Sequence, residues 1–503
     1  MAALCLAVFC VALDNTIIAT AIPKITSDFH SLEDVGWYGS AYLIATCAVQ
    51  LLFGKLYNVF PIKWVFMIAL LIFEVGSLVC AVAPNSVALI VGRVVAGLGS
   101  AGLFSGALIT IAFSTPVETR PAYVGMIGSM YGLASVAGPL IGGAFTDKVT
   151  WRWCFYINLP IGGVSAAVIL FALHLPPAPN QIKRFRLGDV PELARKLDLL
   201  GTAIFAPSMV CVLLALSWGG TKYGWGSGRI IALFVLFGVL LLVFVAIQIW
   251  KKEDATVPPR IIAKRNMAFG SVVAFFLGGG FYVLIYYIPL WFQAIKDDSP
   301  VKSGVDTLPF LIAQVACLIV SGGLVTKIGH YMPFIFASTV FMSVGAGLLT
   351  TFTVGTPTHR WAGYTIIYGI GAGFGFQMPT IAAQTVLGLA DVATGTTVIM
   401  FVQLLGGSLF VSAAQNVFLN RLTKNIAGAG LPGVDAAAVA AGGATELRNT
   451  VPAEYLGAAK ALYNDALVQT FQLALILSCL TLLGAVGMQW RSVKAKGAPA
   501  AAI

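Results

Sequence analysis

The sequence predicts an all-α polytopic membrane protein with fourteen transmembrane helices, arranged as six, two and six. Three observations predict it. The 503 residues are 58% hydrophobic and only 10% charged, with a mean hydropathy of +0.90, whereas a soluble domain is roughly a quarter charged. The apolar residues run in blocks long enough to cross a bilayer as helices of about 20 residues, spread along the whole chain. Basic residues gather in alternate connections between those blocks. The spread excludes a soluble enzyme carrying one anchor. The continuity of the blocks excludes a transmembrane barrel, whose strands alternate over short segments.

The first block, about 3–22, begins almost at Met1. It lacks the basic leader of a signal peptide and contains Asp14, so it is expected to be retained as a span. So abrupt a start points to a missing cytoplasmic tail. Blocks at about 35–54, 64–83, 90–112, 121–145 and 155–175 complete a first set of six. Those at about 199–217 and 230–250 follow a polar stretch and form a pair. Six more lie at about 267–291, 307–326, 331–352, 361–384, 395–416 and 467–489. The connection from about 421 to 465 is long for an outer loop. Its Ala/Gly-rich centre, Ala437 to Ala444, is too short to cross and lies among Asp435, Glu446 and Arg448, which reads as an external loop with some surface helix.

The second and tenth blocks both end in a glycine-rich turn, Gly54-Lys55-Leu56-Tyr57-Asn58 and Gly322-Gly323-Leu324-Val325-Thr326. The fourth and twelfth carry Gly97-Leu98-Gly99 and Gly369-Ile370-Gly371. A shift of eight helices aligns both pairs. The expected domains are therefore an N-terminal six-helix bundle at 1–176, linkers with inserted helices 7 and 8 at 177–265, a C-terminal six-helix bundle at 266–490 and a cytoplasmic tail at 491–503. Parallel repeats facing one another suit alternating access, in which two bundles rock about a midplane site.

Charge placement supports this count. With the N-terminus inside, the inner loops hold 17 basic and 7 acidic residues and the outer loops 12 and 11, the asymmetry expected of cytoplasmic loops. The inner cluster should attract anionic lipid headgroups, and orientation accounts for the basicity without nucleic acid. The eight cysteines have no metal-ligand or CxxC spacing and read as small core hydrophobes. With no metal or nucleotide motif, neither a cofactor nor an enzymatic reaction is expected.

Three charges remain inside the blocks. Asp14 lies where an ionised carboxylate is costly unless it has a partner or a wet cavity, so it can exchange a proton between the two sides. Glu74 is the second proton-site candidate, and Arg93 can compete with a proton for a nearby carboxylate. Helices 9–14 have no charged residue in their apolar interiors. They offer Tyr282, Tyr286, Gln293, Gln314, Gln377, Gln384 and Gln403 instead, which with Asn15 are candidates for lining a substrate cavity. Such groups bond and stack without selecting a charge, which suits a large, weakly polar substrate. The fifth block carries Gly125 and then Gly138-Pro139-Leu140-Ile141-Gly142-Gly143. Glycine permits close helix approach, and proline bends a helix by removing a donor.

These motifs resemble the major facilitator superfamily, specifically its fourteen-helix drug:proton antiporter family as found in fungi. The most specific is Gly138-Pro139-x-x-Gly142-Gly143 with Gly125 before it, similar to the helix-5 signature of antiporters except that Ala134 stands where another glycine is usual. Leu13-Asp14-Asn15-Thr16 through Pro23 is similar to the helix-1 motif, which implies a functional membrane carboxylate at Asp14. Arg93-x-x-x-Gly97 resembles the helix-4 basic motif, implying a part in proton transfer. Trp151-Arg152-Trp153 through Gly162-Gly163 matches the family's approach to helix 6. In the loop between helices 2 and 3, Gly54, Leu56 and Lys63 fit the family pattern, but Asn58 replaces the usual Asp, Val59 the Arg and Pro61 the later Gly. A charge latch at Asn58 is thereby lost, and a hydrogen-bonded or packing latch has to replace it. The resemblance implies a major facilitator fold and proton-coupled efflux of amphipathic organic compounds, such as toxins, secondary metabolites or drugs, across the plasma membrane by a monomer. The alternatives are a carrier for basic amino acids or iron chelates, plasma-membrane or vacuolar, and a non-transporting receptor.

Overall fold

A computed structural model describes residues 1–31, 34–177, 179, 181, 193, 196–220, 222–432, 434–435, 439, 447 and 451–494. Among them thirteen helices are long and apolar enough to cross a membrane, and a bent pair makes the fourteenth. In chain order they are α1 (Ala2–Phe29), α2 (Val35–Val59), α3 (Ile62–Ala81), α4 (Ser86–Ser114), α5 (Arg120–Lys148) and α6 (Trp153–Ala172); α7 (Leu199–Trp218) and α8 (Gly228–Lys251); and α9 (Arg265–Ile295), α10 (Val301–Ile328), α11 (Met332–Leu349), α12 (Thr358–Val386), α13 (Val392–Ala429) and α14 (Leu456–Gly487). The bent helix is α1, which turns by 47° between Ile18 and Thr20. The described residues form isolated β-bridges but no strand, so the chain is all-α.

The helix α13 runs past the expected end of its apolar block, to Ala429. Its last turns are polar and are held by α14: Arg421 Nε and Asn425 Nδ2 both donate to Asp465 Oδ2 at 2.9 Å. Hydropathy locates the part of a helix that sits in lipid, and polar stitching carries the helix further. Most of Ala437 to Ala444, with Glu446 and Arg448, lies outside the described residues, as do the inner-loop charges Lys183, Arg184, Arg186, Asp189, Glu192, Arg195 and Lys496.

Helix packing repeats with a shift of eight. The helix α1 packs on α5 and α9 on α13, α2 on α4 and α10 on α12, α3 on α4 and α11 on α12. Two seams join the early helices to the late ones, α2 against α13 and α5 against α10, and the same shift converts one into the other. Glycine sits at both. A Cβ at Gly54 would strike Thr397 of α13, and one at Gly322 would strike the Pro121 carbonyl of α5. On the second seam a Cβ at Gly125 would fall 2.7 Å from the Leu318 carbonyl oxygen. Missing side chains let the backbones approach.

The helices α7 and α8 pack on each other, and α7 also meets α2 and α13. Only 11% of the apolar window of α8 is buried, the lowest share among the spans. At the end carrying the basic loops this pair is tied down by Asp198, fully buried at the N-cap of α7. Its carboxylate accepts from Gly201 N (3.0 Å), Gln248 Nε2 (3.0 Å), Lys251 Nζ (2.7 Å), and Thr256 N and Oγ1 (2.8 and 2.7 Å). Burial alone would raise its pKa, but these donors, Lys251 and Thr256 foremost, hold it below the usual carboxylate value.

Candidate functional site

Asp14 of α1 and Arg93 of α4 meet inside the first six helices. Arg93 Nη1 lies 2.5 Å from Asp14 Oδ2, and both side chains are fully buried. Asn158 of α6 donates to the other carboxylate oxygen at 3.0 Å and also to Ser77 Oγ of α3 at 3.2 Å. Arg93 Nε donates to the Tyr38 carbonyl at 2.8 Å, and its guanidinium lies 4.4 Å from the centre of the Tyr42 ring. Five helices thus supply side chains to this network, four through hydrogen bonds and α2 through the Tyr42 ring, beside its Tyr38 carbonyl. An ion pair persists in such surroundings because each charge is matched by the other and by hydrogen bonds; removing either leaves a buried charge unanswered.

Glu74 of α3 stands apart from the pair. Both its carboxyl oxygens are buried without a hydrogen-bond partner, and it packs against Gly162 of α6, where a Cβ would strike it. The three charges therefore lie within the protein, two paired and one alone.

The pair does not open directly into the central cavity. That cavity holds about 60 Å³ between the two sets of six helices and is lined by residues including Tyr42, Thr46, Gln50, Tyr131, Tyr282 and Gln403. Tyr42 links the two, with Arg93 at its ring and the cavity beside it. Asn15 is near the Tyr131 hydroxyl, and Tyr286 is near Tyr131 and Tyr282. Of the residues anticipated from the sequence, Tyr282 and Gln403 line the cavity; Gln403 donates to the Phe376 carbonyl at 3.1 Å. Gln377 follows Phe376 at the joint of α12 and packs against Gly128. Gln293 is engaged elsewhere, donating to Ser303 Oγ at 3.0 Å, and Gln314 is buried in α10 with its Oε1 unpartnered.

Sequence reasoning missed Tyr42, Thr46, Gln50 and Tyr131. A signal was present in α2, where Tyr38, Tyr42, Thr46, Gln50, Gly54 and Asn58 recur every fourth residue. A row at this spacing winds slowly round a helix. It passes from the Arg93 contact, along the cavity, to the seam with α13.

At the end carrying the basic loops, that seam is shut. Asn58 Nδ2 donates to Thr394 Oγ1 at 3.2 Å, beside the contact of Gly54 with Thr397. Nearby, Arg120 Nη1 donates to the Gln384 carbonyl at 3.2 Å and Gln384 Nε2 to the Leu108 carbonyl at 3.2 Å. After α8, Arg260 grips both oxygens of Asp391 (2.6 and 2.7 Å) and also Glu253 (2.5 Å). Lys63 lies to one side, donating to the Leu170 carbonyl at 2.6 Å. Asn58→Ala removes one neutral hydrogen bond, about 0.5–1.5 kcal/mol. It is expected to raise the population open on this side several-fold, seen as longer distances between spin labels on the N-terminal ends of α3 and α11. An unchanged distance distribution would remove Asn58 from the latch.

The glycines and proline of α5 divide between two neighbours. A Cβ at Gly138 or Gly142 would strike Thr16, Ile17 or Thr20 of α1, whereas Pro139 and Gly143 face Gly304 and Val301 at the N-terminal end of α10. Gly97 of α4 touches the Tyr42 carbonyl, so the Arg93 helix and the Tyr42 helix lie in backbone contact.

The family model described as Major Facilitator Superfamily matches residues 4–411. The chain belongs to the Major Facilitator Superfamily. Within it, the chain is 56% identical over 491 residues to the efflux pump aflT of Aspergillus parasiticus, covering 98% of this chain and 95% of that one. It is also 56% identical over 496 residues to the MFS-type efflux pump MFS1 of Trichophyton rubrum, covering 98% and 91%. Among solved structures, a double-tryptophan mutant of XylE superposes with a TM-score of 0.64 at 12% identity, over 98% of this chain and 95% of that one, a likeness of fold. This superfamily member is a multi-pass membrane protein of the fungal efflux-pump type, a carrier and not a catalytic enzyme.

Proposed function

We propose that this carrier exports amphipathic organic molecules across the plasma membrane in exchange for protons. The observation that carries the reading is the buried Asp14–Arg93 pair with Tyr42 between it and the central cavity. A proton on Asp14 frees Arg93, which then repositions Tyr42 at the cavity wall. Substrate in the cavity presses on the same ring from the other side, so proton and substrate compete through it. Helices α1–α6 and α9–α14 rock as two bundles, with 1–176 and 266–490 as their bounds, α7–α8 inserted between them and 491–503 as a cytoplasmic tail. Gly54, Gly125, Pro139 and Gly143 line the surfaces that move, while Gly138 and Gly142 hold α5 against α1 within its own bundle. The cavity residues named above are aromatic or neutral and polar, which favours weakly polar ring compounds over basic amino acids or iron chelates. The carrier works as a monomer, with anionic headgroups at its basic face.

The test is efflux of ethidium from proteoliposomes under an imposed pH gradient. Efflux that follows the gradient and collapses with a protonophore supports the reading, and gradient-independent leakage refutes it. Glu74→Gln is expected to keep the protein folded, since no partner is lost, and to lower the number of protons moved per ethidium. An unchanged ratio leaves Asp14 as the sole proton site.

A further inference from the structure

A second and larger space lies outside the two sets of six helices. It is a crevice of about 530 Å³ between the α7–α8 pair and the α2–α13 seam. Its walls include Phe205 and Met209 of α7, Phe237 and Phe244 of α8, and Phe401 and Leu405 of α13. The ring of Phe205 lies 4.8 Å from that of Phe244 and 5.2 Å from that of Phe401, centre to centre. The polar group in the wall is Gln248, and both ends of its amide are engaged, Nε2 with Asp198 and Oε1 with Val257 N. At the cytoplasmic base, Lys251 and Arg260 are held in ion pairs. The crevice therefore offers rings and apolar volume, with those polar groups already satisfied. Its size is that of a drug-like ligand pocket, about 300–1,000 Å³.

Its position gives it a use. Leu51 lines the crevice while its neighbour Gln50 lines the central cavity; on α13, Phe401, Val402 and Leu405 face the crevice while Met400, Gln403 and Leu404 face the cavity. The two spaces are thus back to back across the α2–α13 seam. Along α2 that seam is closed one turn further on by Gly54 against Thr397 and two turns on by Asn58 with Thr394. Parting it on the cytoplasmic side would make the two spaces one.

We propose that this crevice is a lateral loading site, which takes flat apolar organic molecules from the cytoplasmic leaflet and passes them through the opened α2–α13 seam into the central cavity. Compounds of this kind leave water for hydrocarbon, so the leaflet is where the carrier meets them at highest concentration. The inserted pair α7–α8 then has a task, to hold a ring compound at the seam that opens. The proposal rests on the export reading above.

The test compares Nile red, a neutral planar dye that concentrates in bilayers, with ethidium, which is drawn largely from water. Met209→Trp and Val402→Trp each fill the crevice from a different wall. In proteoliposomes both variants are expected to lower proton-driven Nile red efflux about ten-fold and to leave ethidium within two-fold of wild type. Equal loss for both dyes, no loss for either, or a wild-type protein that exports ethidium but not Nile red overturns the loading site alone. A wild-type protein that moves neither dye overturns the export reading and this proposal with it. A measurement on unmodified protein guards against misfolded variants. In lipid nanodiscs, the apolar photolabel 3-trifluoromethyl-3-(m-iodophenyl)diazirine should mark 205–212, and excess Nile red should at least halve that labelling. Labelling that Nile red leaves unchanged means the crevice holds lipid chains, and overturns the proposal.

Discussion

Replacing Asp14 by Asn is expected to end proton-driven efflux while the protein still reaches the membrane. The carboxylate faces Arg93 at 2.5 Å with no exposure on either side, so the amide removes both the proton site and the counter-charge. Breaking a buried pair from one side costs about 3–5 kcal/mol. Here the Tyr38 carbonyl and the Tyr42 ring still hold the guanidinium, which places the loss at the lower end of that range. Ethidium efflux under a pH gradient should fall at least about 100-fold, with a lower unfolding temperature in detergent. Adding Arg93→Gln should restore much of the stability, because the unmatched cation is gone, and none of the coupling. If Asp14→Asn pumps as well as wild type, the proton site moves to Glu74.

The second large effect is expected outside the bilayer core. Asp198→Ala deletes the acceptor of five hydrogen bonds and strands Lys251, which is 14% exposed. Loss of a buried charge partner is again worth about 3–5 kcal/mol, confined here to the end of α8 and the segment after it. Hydrogen exchange at the Thr256 and Val257 amides should accelerate on the order of 100-fold, a factor that corresponds to about 2.7 kcal/mol. Because Asp198 titrates below the ordinary carboxylate value when folded, its contribution is complete above about pH 4, the unfolded value, and fades as pH falls through the lower, folded one. Wild-type attachment of α8 should accordingly survive mild acid and loosen only at strongly acidic pH. The variant should be loose throughout. Exchange rates equal to wild type would show that the other contacts suffice.

The span count and the three charges within the spans were legible because a charge within an oily block stands out, but that Arg93 takes Asp14 and not Glu74 as its carboxylate was fixed only by the packing of α1 on α4. Asn158 was not legible as the second partner of Asp14, since a neutral amide near a helix start signals nothing by itself. The row from Tyr38 to Asn58 could have been read from its spacing. It was obscured because tyrosine and threonine are as common in packed helix faces as at cavities. The glutamines of the later helices show the reverse difficulty: Gln403 lines the cavity while Gln293 closes a local bond to Ser303, and nothing in the composition separates them. The crevice beside α7 and α8 was invisible, because its residues are apolar on every side and only their assembly leaves a gap.

The α5–α10 contact has a mechanical consequence. Where Gly125 meets the Leu318 carbonyl and Gly322 meets the Pro121 carbonyl, main chain rests on main chain, with no side chain at those points that must change rotamer before the surfaces slide. The α2–α13 contact carries a hydrogen-bonded catch, and its counterpart behaves as a smooth bearing. In the proposed cycle the α2–α13 side holds the molecule shut and the α5–α10 side lets it move.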